Sequence, residues 1–465
     1  MSYKTIHYLS ALKEKEIEEF SAFLSSGLAG NFPNAEKLFS YLKKIHPDFS
    51  AVKLKKETIF KKTFPALEYE DSLLRYAMSH LNKQLELFFS WKELNQSEIH
   101  SFKLRALSTR KLDKYFQQEL NSQHEKNEQS LKRDFKFYKS DLELKEISYN
   151  YHSMQKSRTS VDLTEKVILA IDKNYFYNRL RYVCELLNRS SIFSEHTKHS
   201  FITRFIQQLS PEILKEAAIN LYFLIFKILT NGKEEDYKNF SQVLKKIFNA
   251  FDPAEQNDLF AYAQNFCIRK INSGDEKYLS ELFEWYCFQL ENKTIFSEGL
   301  ISQFDFKNIV SVALRLNQLN WTENFIEKQS EKLQKNIREN AYNYNKARLE
   351  FQRKEYKRSL KLLQEVEFTD IVYQLDSKVL LMKIYFENAD TDAIENAYNS
   401  LKILVHRKAN LSVYQKQLYI NFGKISINLN RVKEGFSSKI NLEEALSKSP
   451  AADIGWLRQK WKELN

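Results

Sequence analysis

The stretch NAYNYNKARLEFQRKEYKRSLKLLQEVEF, residues 340–368, decides the fold of this 465-residue chain. Apolar residues recur at helical spacing on both sides of a polar turn near Glu355, so the stretch reads as helix, turn, helix. Whether it is a lone hairpin or one unit of a stack depends on its neighbours.

Three segments answer the question when set beneath one another: NIVSVALRLNQLNWTENFIEK (308–328), YNKARLEFQRKEYKRSLKLLQ (344–364) and DSKVLLMKIYFENADTDAIEN (376–396). Leu316, Phe351 and Phe386 fall 35 residues apart, and so do Trp321, Tyr356 and Thr391. Behind the turn Phe325 and Leu360 agree, while Glu395 in the third segment marks a register slip of one residue. A period near 35 holding two helices means stacked units, because one such unit cannot bury its apolar face alone. In the middle segment a small Ala347 lies in the first helix, aromatic Tyr356 follows the turn, and small Ser359 faces back. Small residues let the two helices approach, and the aromatic fills the wedge between them.

That arrangement resembles a tetratricopeptide repeat. It departs from the family at the turn, where Gln318 and Glu355 stand in place of glycine, and at the missing closing proline. The resemblance is to a divergent, bacterial-looking helical-repeat family. It implies an α-solenoid with a concave groove lined by the first helix of each pair. By the same resemblance the groove positions are Tyr344, Asn345, Arg348 and Lys383. An asparagine and an arginine there would bond a peptide backbone or a carboxylate.

Composition agrees with the all-α reading. The chain has 8 glycines and 6 prolines, where average usage gives about 33 and about 23. Few helix breakers mean long helices and short polar connections. The sequence reads as a helical N-terminal unit (1–105), long charged helices (106–210), hairpin repeats (211–430) and a C-terminal capping helix (431–465). In the first unit Ile17, Phe20, Phe23 and Leu24 share a helical face, Asn34 caps the next helix, and Asp71 caps a helix carrying Leu74, Met78, Leu81, Leu85 and Phe88. KNEQSLKRDFKFYKSDLELKEISYNYHSMQK (126–156) reads as one long arm, with Leu131, Phe135 and Tyr138 on its stripe. From Pro211 and Pro253 onward helices alternate with the turns TNGKEED and NSGDEK. The C-terminal run carries Trp456 and Trp461 on an amphipathic helix, expected to cover the open face of the last repeat; the other reading is a docking helix for a partner.

Three widely spaced cysteines, Cys184, Cys267 and Cys287, argue against a disulfide framework and for a reducing compartment. The longest apolar stretch, AAINLYFLIFKIL (217–229), contains Lys227 and falls short of the roughly 20 residues a membrane span needs. No secretory leader is expected at the start, and the chain is expected to be cytoplasmic. The net charge of +11 is spread thinly, with an excess of +5 in residues 101–160 and +6 in residues 321–465. Phosphate-binding, dinucleotide, metalloprotease and serine-hydrolase motifs are all missing from the sequence. His46–Pro47–Asp48 matches the tripeptide of J-domain co-chaperones, but it reads as a helix stop. His196 and His199 could share a metal on one helical face, yet no further ligand is near them in sequence, so they read as surface residues. In KLKKETIFKKTF (53–64) the lysines could meet phosphates, while Ile59, Phe60 and Phe64 fit a core. The expectation is therefore a non-catalytic scaffold or adaptor without cofactor or metal, whose partner is another protein or peptide. The alternatives are a nucleic-acid- or ribosome-associated protein and a peptide-sensing regulator.

Overall fold

The computed structural model describes the chain except residues 1–2, 28–29, 51, 95, 155–159, 194–199, 367–370, 409–410, 436–439 and 465. Among the described residues the regular structure is helical, α-helices with three short 3-10 turns, and no strand occurs. Two compact units emerge: residues 1–130 with 135–175, and residues 131–134 with 176–465.

The first unit opens with α1 (Tyr3–Ser10), α2 (Glu14–Ser25), α3 (Pro33–Ile45), α4 (Lys56–Thr63) and α5 (Asp71–Glu93). Phe20 anchors their core, edge-on to Phe39 at 4.9 Å and tilted against Phe88 at 5.2 Å. Ile59, Phe60 and Phe64 of the first basic run are buried in the same cluster. Two expected caps are corrected. Pro33 opens α3 after Phe32, and Asp71 is the first residue of α5, where its carboxylate takes Lys56, Arg75 and the Tyr69 hydroxyl instead of capping. His46 ends α3, its Nε2 3.1 Å from the Leu12 carbonyl oxygen.

The unit continues with α6 (Gln96–Thr109), α7 (Asp113–Gln129) and α8 (Phe135–Met154). The expected single arm over 126–156 is thus two helices. The Arg133 N–H donates to the Ala250 carbonyl at 2.8 Å, and Lys132 Nζ donates to the carbonyls of Asn249 and Phe251. Those bonds hold 131–134 away from helical geometry and leave Leu131 85% exposed. α9 (Ser160–Phe193) passes from the first unit into the second at Phe176, and α10 (Ser200–Ile206) follows.

The rest of the second unit is a run of antiparallel hairpins. They are α11 (Ala217–Thr230) with α12 (Glu234–Ile247), α13 (Pro253–Asn272) with α14 (Tyr278–Glu291), α15 (Gln303–Arg315) with α16 (Leu319–Gln329), α17 (Arg338–Gln352) with α18 (Tyr356–Gln364), and α19 (Ile371–Glu387) with α20 (Thr391–Arg407). α21 (Val413–Lys433), α22 (Ile440–Lys448) and α23 (Ile454–Leu464) close the array. α11 starts later than Pro211, because the Ile213 N–H bonds the Ser210 hydroxyl and Glu216 is extended. At α13 the expectation holds: Pro253 is in its first turn and Asp252 Oδ1 accepts the Glu255 N–H at 2.9 Å.

The turns explain the missing glycines. In three successive hairpins the first helix ends in a residue of left-handed backbone: Asn317 (φ 55°), Lys354 (φ 64°) and Ala389 (φ 56°). Each N–H reaches back three residues, to Leu314, Phe351 and Phe386, and the next N–H reaches back five, to Ala313, Glu350 and Tyr385. This is the Schellman closure that satisfies the last carbonyls of a helix. It also corrects the alignment. Leu314, not Leu316, matches Phe351 and Phe386, so the spacings are 37 and 35 and the slip lies in the first copy. Ala347 and Ser359 meet as the small-residue contact requires, both fully buried, with Ser359 Oγ donating to the Ala347 carbonyl at 2.7 Å. A side chain in left-handed backbone costs about 1–2 kcal/mol, of which the greater flexibility of glycine returns about half. Ala389→Gly is therefore expected to stabilise the unit by about 0.5–1 kcal/mol. The check is a higher urea midpoint at unchanged slope.

Candidate functional site

The first helices α15, α17, α19 and α21 touch one another in order, so they line one face of the array. Six residues ahead of the left-handed turn position, the same place on three successive helices is filled by Ser311, Arg348 and Lys383. Two residues ahead it is filled by Arg315, Gln352 and Glu387. The regular turn closure is what brings these side chains into columns.

Charge on this face is mostly neutralised by the chain itself. Lys307 Nζ donates to Asp376 Oδ2 at 2.5 Å, and the Tyr419 hydroxyl donates to Oδ1 of the same carboxylate at 2.8 Å. Lys383 is held by Asp453, at the start of α23, and sits over the rings of Trp456 (5.4 Å) and Phe351 (5.9 Å). Burial, with Arg348 adding repulsion, pulls the Lys383 amine down to about 7. The Asp453 carboxylate in contact with it works the other way and favours the ammonium. Glu387 accepts from Lys460 at 2.7 Å. Arg348 differs. Its guanidinium donates to Ser311 Oγ at 2.8 Å and lies 5.7 Å from the Tyr344 ring, and among the described residues no carboxylate pairs with it.

Of the four positions expected in the groove, two are corrected by burial. Tyr344 is 4% exposed and packs edge-on to Tyr373 at 4.9 Å, and Asn345 is fully buried with its amide N–H donating to Ala341. Lys383 is buried and already occupied, and Arg348 stays half-exposed. The structure brings Arg348 and Lys383 onto one column and adds Ser311, Asp376, Tyr419 and Asp453, which the sequence reading did not single out. The signal for Ser311 was its place in the repeat, obscured by the two-residue slip; Asp453 and Tyr419 carry no local signal.

The second helices are tied to the next first helices by another charged network. Glu323 receives Arg353 at 2.6 Å and Lys346 at 2.8 Å, and those hydrogen bonds hold its carboxyl down to about 2. Cys267 is buried against the Tyr237 hydroxyl at 3.1 Å, and burial pushes its thiol up to about 12. Cys287, on the partner helix of that hairpin, is raised to about 11 by the same cause. Neither is a poised nucleophile. Glu281 accepts from Tyr237 at 3.2 Å. His196 and His199 lie outside the described residues. Among the described residues no group of three or more metal-ligating side chains occurs, and no helix is long and apolar enough to cross a membrane.

The fold and this face define an all-α protein of tetratricopeptide-like helix hairpins, stacked as an α-solenoid. No family model matches the sequence, and no curated protein matches it. Among solved structures it is similar to a chain in the crystal structure of the APC/C hetero-tetramer Cut9–Hcn1, at 12% identity over 95% of this chain and 85% of that one, with a TM-score of 0.28.

Proposed function

We propose that this chain is a non-catalytic cytoplasmic scaffold or adaptor, and that the first-helix face of α15–α21 takes a segment of another protein. The observation that carries the reading is Arg348. It is a half-exposed guanidinium, backed by a tyrosine ring and oriented by Ser311, with no carboxylate of its own among the described residues. Such a group is suited to a bidentate carboxylate from a partner. Lys307 and Lys383, neutralised internally, serve to shape the face.

The test is capture of partners from the protein's own cells by tagged wild type and by Arg348→Glu. The expected result is one or a few stoichiometric proteins that survive nuclease and moderate salt, bound at least 10-fold more weakly by Arg348→Glu, about 1.4 kcal/mol. Undiminished capture by Arg348→Glu, and by Lys383→Glu beside it, would remove the face from the reading.

One observation favours a second reading. At the α6–α7 turn Arg110, Lys111 and Lys114 are exposed without a carboxylate partner among the described residues, and Tyr115 beside them is 58% exposed. Cations around an open aromatic suit single-stranded nucleic acid. Binding there would fall steeply with salt and vanish with nuclease in the same capture experiment.

A further inference from the structure

The face proposed above is partly covered by the chain's own C-terminal helix, and the manner of covering describes the ligand. α23 makes three kinds of contact with the last first-helix positions. Asp453, just ahead of its first turn, takes Lys383, the residue that repeats Arg348 one unit on. Trp456 sets its ring edge-on to Phe386 at 5.3 Å and against Phe422 at 6.0 Å. Lys460, two turns along from Asp453, gives its ammonium to Glu387 at 2.7 Å, with both side chains largely buried. Leu457 is fully buried beneath the helix. A carboxylate, an aromatic anchor and a lysine thus meet a lysine and a glutamate of α19 and an aromatic pair shared by α19 and α21.

The seat is also under tension. Asp453 holds φ 43°, left-handed backbone for a residue with a side chain, and strain of this kind persists only where surrounding contacts impose it. An isolated helix of 11 residues is marginal in water, so α23 depends on its docking to stay helical. Arg348 lies in the same column one helix earlier and is left open.

We infer that α23 is a displaceable occupant of the first-helix face, and that the partner it holds off is an amphipathic helix of like chemistry. That helix carries a carboxylate before its first turn, a tryptophan three residues on and a lysine four beyond that. The inference rests on the first-helix face being the binding face. A tethered helix acts at an effective concentration on the order of 1 mM. If α23 has an intrinsic affinity of about 10 µM for its seat, the tether weakens the binding of any rival helix about 100-fold.

The probe is a labelled peptide of residues 449–465, titrated into the full chain and into the full-chain variant Asp453→Lys/Lys460→Glu, which should loosen its own α23. The variant is expected to bind the peptide at least 10-fold more tightly than wild type, and a peptide carrying the same two reversals is expected not to bind. Equal, undetectable binding by both proteins, with the circular dichroism of the variant unchanged, would overturn the inference. Hydrogen exchange on the wild-type chain tests it without any variant. α23 amides should exchange at least 10-fold faster than those of α19 and α21, and protection equal to theirs would make α23 a fixed part of the core. Because no outside partner is used, the peptide result stands apart from the partner-capture test. Tight peptide binding together with undiminished capture by Arg348→Glu would keep the latch and discard the Arg348 reading.

Discussion

Trp285→Ala is expected to cost the second unit about 4 kcal/mol, the range for emptying a fully packed aromatic site. Trp285 is fully buried on α14. Its ring meets Phe260 at 5.8 Å and Phe288 at 5.9 Å, and Lys245 Nζ lies 4.9 Å from its centroid. Its indole N–H donates to the Tyr237 hydroxyl at 2.8 Å, a group that also faces Cys267 and Glu281. Truncation removes the packing of three helices and a donor from a buried hydroxyl at once. Trp285→Phe separates the two losses. It keeps most of the ring volume, gives up the donor, and should cost about 1–2 kcal/mol. Because each hairpin is stabilised mainly by its neighbours, the damage should be local. Hydrogen exchange should rise in α11–α14 while α19 and α21 keep their protection. A midpoint shift below about 1 kcal/mol for the alanine variant would mean that the site collapses around the gap.

Much of this architecture was legible because helix periodicity and the shortage of glycine and proline are dense, redundant signals. The hairpins, the two polar turns TNGKEED and NSGDEK, and the Ala347–Ser359 contact needed only spacing and side-chain size. What was missed depended on single backbone conformations or on residues distant in sequence. The last three hairpin turns hold asparagine, lysine and alanine in left-handed backbone. A search for glycine there finds nothing, and the first repeat then slips by two residues. Asp71 reads as a cap because carboxylates suit helix starts, yet Arg75 one turn on and Lys56 and Tyr69 from outside the helix compete for it. The site divides the same way. The column of Arg348 and Lys383 follows from the repeat, but Lys383's partner Asp453 lies 70 residues away, and only the fold shows that Lys383 is occupied while Arg348 is open.

Gly423→Ala should destabilise the chain, against the usual sign for a glycine inside a helix. In an open helix interior the change to alanine gains about 1 kcal/mol. Gly423 is buried within α21, where α20 crosses close by. A Cβ built there would fall onto Cδ2 of the Tyr398 ring, with Cε2 at 2.6 Å and Cγ at 3.3 Å. The clash involves the near side of the ring, so a tip rotation does not relieve it; either the ring leaves its place or the two helices separate. Overpacking of this kind costs about 1–3 kcal/mol, and after the intrinsic helix gain the net loss should be up to about 2 kcal/mol. The decisive measurement is the double-mutant cycle with Tyr398→Ala. Once the ring is gone, Gly423→Ala should turn stabilising by about 1 kcal/mol, giving a coupling of about 1–3 kcal/mol, within the span for residues in contact. If Gly423→Ala stabilises the wild-type background as well, Tyr398 yields at no cost. The glycine would then owe its place to something other than the approach of α20 and α21.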